Sequence, residues 1–408
     1  MFRHSPIFIL VLILALATPQ LLPRLRLLVS HFTTHPFHST ASVLTKASAA
    51  NMSVEYSKEL HIALLAVQRA TILTKSVFNS HAKGTLSKSD TSPVTIGDFG
   101  AQALIIAALQ HHFPEDEIVA EEEAKDLNEN SQLRDLVYGL VTDAKLDNED
   151  IEQELGGGIK GPDAMLDIID KGRSLGGNKG RIWAIDPIDG TKGFLRGGQY
   201  AVCLALMVDG DVKVGVLGCP NLPVSDSEPL TENTGANATD AEGKGVLFSA
   251  VLGEGAASRA LGKGKLENAH PIHMKPVSNV SDATFCESVE SGHSNQSDSV
   301  QIALKLGITK PSVRMDSQAK YGSIARGAGD LYLRLPVNKN YVEKIWDHAA
   351  GDLIVREAGG EVTDTEGRRL YFGLGRTLKE NKGVVAAPKE VHGKVLQAVK
   401  EVLNAHPL

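Results

Sequence analysis

From Tyr56 to Ser76 the apolar residues Leu60, Ala63, Leu64, Val67 and Ile72 recur at three- and four-residue steps, the spacing of one helical face. Ser53, ahead of Glu55 and Lys58, supplies a start region for this helix. A second helix is predicted from Asp98 through Gln110 on Ala101, Leu104, Ile105 and Ala108, with Pro114 beyond its end. The stretch between them, from Lys88 to Asp98, has turn-forming composition. Short apolar runs then predict strands at Ile118–Ala120 and Arg181–Ile185. Ala201 to Val208 and Val212 to Leu217 read as a hairpin turning at Asp209-Gly210. Leu222 to Gly245 is rich in Ser, Thr, Asn, Gly and Glu and reads as a surface loop. Further strands are expected at Val246–Val251, Leu331–Leu335 and Gly383–Ala387, with helices at Trp346–Ala358 and Lys389–Leu403. Residues 124–180 carry Gly156-Gly157-Gly158 and Gly176-Gly177 and offer no comparable pattern; they leave room for a mobile lid. Strands and helices on both sides of the 222–245 loop predict two α/β parts, 52–245 and 246–408, with a cleft between them.

The pattern changes ahead of Met52. Ile7 to Ala17 is an apolar run flanked by Arg3, Arg24 and Arg26, and no Asp or Glu precedes Glu55. The run falls short of the roughly 20 apolar residues that span a bilayer. It fits a signal-peptide core, a weak anchor or part of an Arg-rich, acid-poor mitochondrial presequence. Residues 1–51 are therefore set apart as a leader. Translation from Met52 predicts a cytoplasmic protein; use of the leader predicts a mitochondrial or membrane-associated one.

Charge narrows the function. Lys and Arg total 42 against 49 Asp and Glu, a net charge of -7, which argues against a general nucleic-acid binder. The three cysteines, Cys203, Cys219 and Cys286, do not form a disulfide framework and read as buried thiols in a reducing compartment.

The chemistry gathers in three strings. Trp183-Ala-Ile-Asp186-Pro-Ile-Asp189-Gly-Thr191-Lys-Gly-Phe194 places Asp186 where a buried strand is expected to end. Asp189 follows close enough to share a metal pair with it, and the Ile188 carbonyl is a further hard-cation ligand. Gly190 and Thr191 open a turn or helix start whose free N–H groups suit a phosphate oxygen. Glu121-Glu122-Glu123 follows the apolar run Ile118–Ala120, so acid again sits at a strand end. An acidic triplet alone is usually a solvated surface; its repeated placement changes that reading. Trp346-Asp347-His348-Ala-Ala-Gly351 puts Asp347 at a predicted helix start, where it can cap N–H groups or reach a metal. His348 reads as a packing or hydrogen-bonding residue, because its neighbours imply an oxygen-only site.

Together these strings resemble the lithium-sensitive, magnesium-dependent phosphatase superfamily that includes inositol monophosphatase, over about residues 53–408. Thr191-Lys-Gly-Phe-Leu-Arg-Gly197, Gly218-Cys-Pro-Asn-Leu222, Ser291-Gly-His-Ser294, Asp316-Ser-Gln-Ala-Lys-Tyr321 and Tyr332-Leu-Arg-Leu-Pro336 resemble the fungal 3′(2′),5′-bisphosphate nucleotidases within it. The resemblance implies a layered αβαβα sandwich of α/β (α+β) class. It implies two or three Mg²⁺ held by Glu121, Asp186, the Ile188 carbonyl, Asp189 and Asp347. Asp98 and Thr191 match the pair that orients and deprotonates the attacking water. His293, Ser294, Ser317, Lys320 and Arg334, with Thr191 and Asp347, match substrate-contacting positions. Implied too are hydrolysis of adenosine 3′,5′-bisphosphate, inhibition by Li⁺ and Na⁺, roles in sulfate assimilation and salt tolerance, and a monomer acting on a small nucleotide without nucleic-acid or stable membrane partners.

Two other readings compete. An inositol (poly)phosphate phosphatase would share the metal residues, and only the strings around Ser317 and Arg334 argue against it. A catalytically silent nucleotide sensor would be expected to have lost a metal carboxylate or the water-orienting pair, yet Asp98, Glu121, Asp186, Asp189, Thr191 and Asp347 are all present.

Overall fold

The computed structural model describes residues 55–82, 93–225, 230, 243–290, 292, 294–338 and 340–405. The leader with its apolar run, and most of the predicted 222–245 loop, lie outside them. Helices α1 (Ser57–Ala82) and α2 (Pro93–His112) lead into β1 (Glu117–Ala120). Next come α3 (Lys125–Glu129), α4 (Ser131–Asp143), α5 (Glu149–Glu154) and α6 (Pro162–Asp170). Then follow β2 (Arg181–Asp189), α7 (Thr191–Leu195), β3 (Ala201–Val208), β4 (Asp211–Pro223), β5 (Lys244–Val251), β6 (Gly255–Ala260) and β7 (His270–Ile272). The remainder is β8 (Phe285–Glu287), α8 (Gln296–Leu306), β9 (Val313–Arg314), α9 (Ala319–Ala325) and β10 (Leu331–Arg334). It ends with α10 (Ala349–Glu357), β11 (Gly360–Thr363), β12 (Val384–Pro388) and α11 (Lys389–Ala405).

The first sheet has seven strands in the order β1 to β7, and the second has five in the order β11-β12-β10-β8-β9. Strand alternation sorts the core into layers. Val202, Leu204 and Leu206 of β3 pack with Ile62, Ala66 and Ile105 of α1 and α2. Cys203, Ala205 and Met207 turn the other way, into a core shared with Tyr321 of α9 and Leu353 of α10. That core also takes Tyr332 and Ala386 from the second sheet. Leu331, Leu333, Val385 and Ala387 face the far side, against Ile302 of α8 and Val395 and Val399 of α11. The result is the expected αβαβα sandwich.

Tyr56–Leu408 forms one compact unit. The first sheet continues across residue 245 through β5, β6 and β7, so the change from first to second sheet falls between Ile272 and Phe285 rather than at 245. The hairpin register pairs Val208 with Asp211, leaving Asp209 and Gly210 as a two-residue loop. Their φ values of 50° and 81° suit the positive-φ turn that Asp-Gly favours.

Four elements depart from expectation. Helix α2 starts at Pro93 rather than Asp98, since a first-turn proline lacks only an N–H that has no partner there. Strand β4 runs on to Pro223, paired with β5. Residues 124–170, which showed no pattern, carry four helices: Leu127, Val137, Met165 and Ile169 bury against Phe99 and Leu104 of α2. Helix α10 starts at Ala349 rather than Trp346, with no side-chain cap. Cys203, Cys219 and Cys286 are free and buried, as expected. Among the described residues, no helix is long and apolar enough to cross a membrane.

Candidate functional site

Strands β1 and β2 run parallel with Ala120 opposite Ile185, so the next residues, Glu121 and Asp186, lie side by side. Strand β2 does not end at Asp186, as its Asp-Pro suggested. It continues to Asp189 through a bulge: Asp186 faces Cys203 and Asp189 faces Ala201, three steps against two. Residues three apart on a regular strand point to opposite faces. The extra residue cancels that alternation, and Pro187 sits in it without a ladder N–H to lose. Both carboxylates therefore line one cleft.

That cleft, about 310 Å³, is walled by Glu121, Asp186, Ile188, Asp189, Thr191, Ser317, Lys320, Arg334 and Asp347, all expected from the sequence. It is completed by Gly190, already read as part of the turn before Thr191, and by Lys192, Gln318, Tyr332 and Tyr341, which the motif reading did not single out. Asp98 is buried, close enough to Glu121 and Glu122 to feel their charge, and is not among the lining residues. Helix α2 can approach the bulge because residue 97 is glycine, where a Cβ would meet Ile188 Cδ1 at 2.6 Å. Ser294 lies outside the cleft, its hydroxyl accepting the Leu335 N–H at 2.9 Å. His293 is outside the described residues.

The two halves are joined by the loop before α9. Ser317 takes a φ of 67°, and a Cβ on Gly190 would stand 2.8 Å from the Ser317 Cβ. The Gln318 N–H donates to Asp189 Oδ2. Its side-chain amide donates to the Trp346 carbonyl at 2.8 Å and accepts the Gly351 N–H at 3.0 Å. Gln318 thus holds Asp189 against the Trp346-Asp347 segment. This explains the late start of α10, because Asp347 faces the cleft instead of capping the helix.

Electrostatically the acidic end is out of balance. Burial, then the charges of Glu121, Asp189 and Asp347, push Asp186 well above the usual carboxylate range. Asp347 is raised by burial and by Asp189. Asp98 is raised by burial and by Glu122 and Glu121. Glu121 is pushed up to about 7 by burial, Glu122 and Asp189. Burial raises Asp189 less freely, since Lys320, the Gln318 N–H and Arg334 favour its ionised form. Asp186 Oδ1 is buried without a hydrogen-bond partner. Crowded carboxylate oxygens lacking counter-charge are the donor set of a hard divalent cation, whose binding would restore their ionised forms.

The other end is basic. Lys320 is buried, its ammonium 2.9 Å from the Ser317 carbonyl and 5.2 Å from the Tyr332 ring centroid. Arg334 donates from Nε to Glu343 at 2.8 Å and from Nη2 to the Tyr341 hydroxyl at 3.1 Å. Glu343, Asp347 and His348 lie close enough to suggest a metal site. Glu343 is already matched by Arg334, and His348 bridges Glu343 at 3.2 Å and the Tyr321 hydroxyl at 2.9 Å. An Nε2–H donating to Glu343, with Nδ1 paired to the Tyr321 hydroxyl, satisfies both contacts. The trio therefore fixes Arg334, and His348 has the hydrogen-bonding role expected of it.

The sequence matches the model of the inositol monophosphatase family over residues 55–404. It is 62% identical over 351 residues to a 3′(2′),5′-bisphosphate nucleotidase of Emericella nidulans, covering 86% of this chain and all of that relative. It is 48% identical over 359 residues to the enzyme of that name from Schizosaccharomyces pombe, covering 87% of this chain and 98% of the relative. The solved inositol monophosphatase from Anabaena superposes with a TM-score of 0.51 at 20% identity, covering 86% of this chain and all of that one, which speaks for the fold alone. With the sandwich, the paired acids at the bulge and the matched length in agreement, this chain belongs to the inositol monophosphatase family.

Proposed function

We propose that the enzyme hydrolyses the 3′-phosphate of adenosine 3′,5′-bisphosphate, giving AMP and phosphate, and also acts on 3′-phosphoadenosine 5′-phosphosulfate. The observation that carries this reading is the pairing of opposite charge in one cleft: Lys320 and Arg334 share it with Asp186, Asp189 and Asp347. A ligand with two anionic groups matches that arrangement, the scissile phosphate at the acidic end and the second phosphate at the basic end. An inositol monophosphate has no second anionic group to meet the basic end formed by Lys320 and Arg334. Relatives named as 3′(2′),5′-bisphosphate nucleotidases support the same choice.

Glu121, Asp186, the Ile188 carbonyl, Asp189 and Asp347 would hold Mg²⁺, in two or three ions. Ions bound there would supply an activated water and neutralise the leaving oxygen. Asp98 would take up a proton from the attacking water, with the Thr191 hydroxyl orienting it. Lys320 and Arg334 anchor the second phosphate through charge-assisted hydrogen bonds. Ser317 and His293 contact the nucleotide in this reading, and Ser294 supports Arg334 from behind through the Leu335 N–H. Competition by Li⁺ and Na⁺ at one ion position, roles in sulfate assimilation and salt tolerance, and action as a monomer belong to the same proposal. So does the dependence of location on the leader.

The test is phosphate release in Mg²⁺ by a protein starting at Met52, comparing adenosine 3′,5′-bisphosphate with inositol 1-phosphate and inositol 1,4-bisphosphate. Preference for the nucleotide, abolished by Asp186→Asn and inhibited by Li⁺, is expected. Preference for an inositol phosphate would overturn the roles given to Lys320 and Arg334 while keeping the metal residues.

A further inference from the structure

Arg376 lies 256 residues from Ala120, yet its Nη2 donates to the Ala120 carbonyl at 2.6 Å. Its Nη1 donates to the carbonyls of Ser174 at 3.1 Å and Gly172 at 3.3 Å. The Cζ of the same guanidinium lies over the Trp346 ring, 4.8 Å from its centroid. Ala120 is the last residue of β1 and directly precedes Glu121; Trp346 directly precedes Asp347. One planar group therefore touches the residue before an acid from the first sheet and the residue before an acid from the other half of the chain.

The backbone around it is fixed as well. The Ile345 N–H donates to the Arg376 carbonyl at 3.2 Å, and the Leu378 N–H donates to the Glu343 carbonyl at 2.9 Å. The Ala120 N–H in turn donates to the Gly172 carbonyl at 2.8 Å, so β1 and the 172–174 turn reach Arg376 as a unit. Trp346 is gripped from both sides, its ring by Arg376 and its carbonyl by Gln318.

We propose that Arg376 is a positioning residue that sets the separation of the Glu121 and Asp347 carboxylates and so tunes divalent-cation affinity. It touches neither carboxylate and works through the backbone of one and the neighbour of the other. An arginine suits the task because its in-plane donors serve three carbonyls while its face remains free for the indole. Groups that orient metal ligands without binding the metal commonly change affinity by about 10–100-fold when removed. The inference rests on the metal-site reading given above.

The experiment is direct titration of the Met52-start protein with Mn²⁺ alone, by calorimetry and by electron paramagnetic resonance, for the wild type, Arg376→Met and Arg376→Lys. Thermal unfolding without metal is recorded in parallel. Arg376→Met is expected to weaken Mn²⁺ binding by about 10–100-fold. Arg376→Lys, which keeps charge but cannot serve three carbonyls and stack, should fall between. The nucleotide KM at saturating Mg²⁺ should stay within about twofold of wild type, since Arg376 is no part of the basic end. Unchanged Mn²⁺ affinity in both variants would overturn the proposal while leaving the metal site intact. A wild type that binds no Mn²⁺ would overturn the metal-site reading and this inference with it. If Arg376→Met does not fold, an unchanged affinity in Arg376→Lys is sufficient to reject it.

Discussion

Glu343→Gln removes the anion that fixes Arg334 while keeping the side chain's shape. Glu343 is 5% exposed, and its two oxygens face Arg334 Nε at 2.8 Å and His348 Nε2 at 3.2 Å. Burial alone would raise its pKa; the hydrogen bond from His348 and the charge of Arg334 outweigh it and hold the carboxyl at about 2, against an ordinary 4.5. At 1.36 kcal/mol per unit, that difference corresponds to roughly 3 kcal/mol of native-state stabilisation. Removing one partner from a buried ion pair costs about 3–5 kcal/mol in other proteins, so the two routes agree. The pKa is depressed in the folded state, so the contribution is present in full above the unfolded value of 4.5 and fades as pH falls towards 2. Urea unfolding followed by tryptophan fluorescence should show Glu343→Gln less stable by about 3 kcal/mol at pH 7, with the gap narrowing by pH 3.5. A gap below about 1 kcal/mol at pH 7, or one unchanged between pH 6 and pH 3.5, would refute the reasoning.

Gly351→Ala would place a methyl 2.2 Å from the Tyr321 ring, against an atom pinned by packing between α9 and α10. Overpacking of this kind costs about 1–3 kcal/mol, measurable as a lower urea midpoint, and a neutral result would mean that the two helices separate freely. Without divalent cation the acidic end should invert the usual pH response. Because Glu121 is pushed up to about 7, the folded protein holds a proton that the unfolded chain releases near 4.5, and stability should fall as pH rises from 4.5 through 7. Thermal unfolding in chelator at pH 5 and pH 7.5 checks this, with Mg²⁺ expected to abolish the decline; a metal-free protein more stable at pH 7.5 would contradict it.

Much of this site was legible before any coordinates. Acid directly after two apolar runs marked Glu121 and Asp186 as site candidates, and the parallel pairing of β1 with β2 then sets them side by side. The Asp209-Gly210 turn was readable because its backbone demand is local. Other features had no such signal. The bulge at Pro187-Ile188 looks in sequence like a strand end. The short strands β8 and β9 carry too few residues to show a period. Gln318 lay within a quoted string, but its bonds to Trp346 and Gly351 depend on residues about 30 positions away. Ser294 read as a substrate contact, and the hydrogen bond its hydroxyl accepts from the Leu335 N–H had no signal in the sequence.

By itself the sequence determined the helices and hairpins whose side chains repeat at a regular step, the oxygen-rich chemistry of the three acidic strings and the family they point to. Only the tertiary structure decided that Asp98 is buried beside Glu121 and Glu122, that Arg334 is fixed by Glu343, and that Arg376 bridges the residues before Glu121 and Asp347. Periodicity and turn chemistry act within a few residues, so composition can reveal them. Which distant groups share a low-dielectric cleft is decided by how two sheets and their helices pack, and no stretch of chain carries that alone.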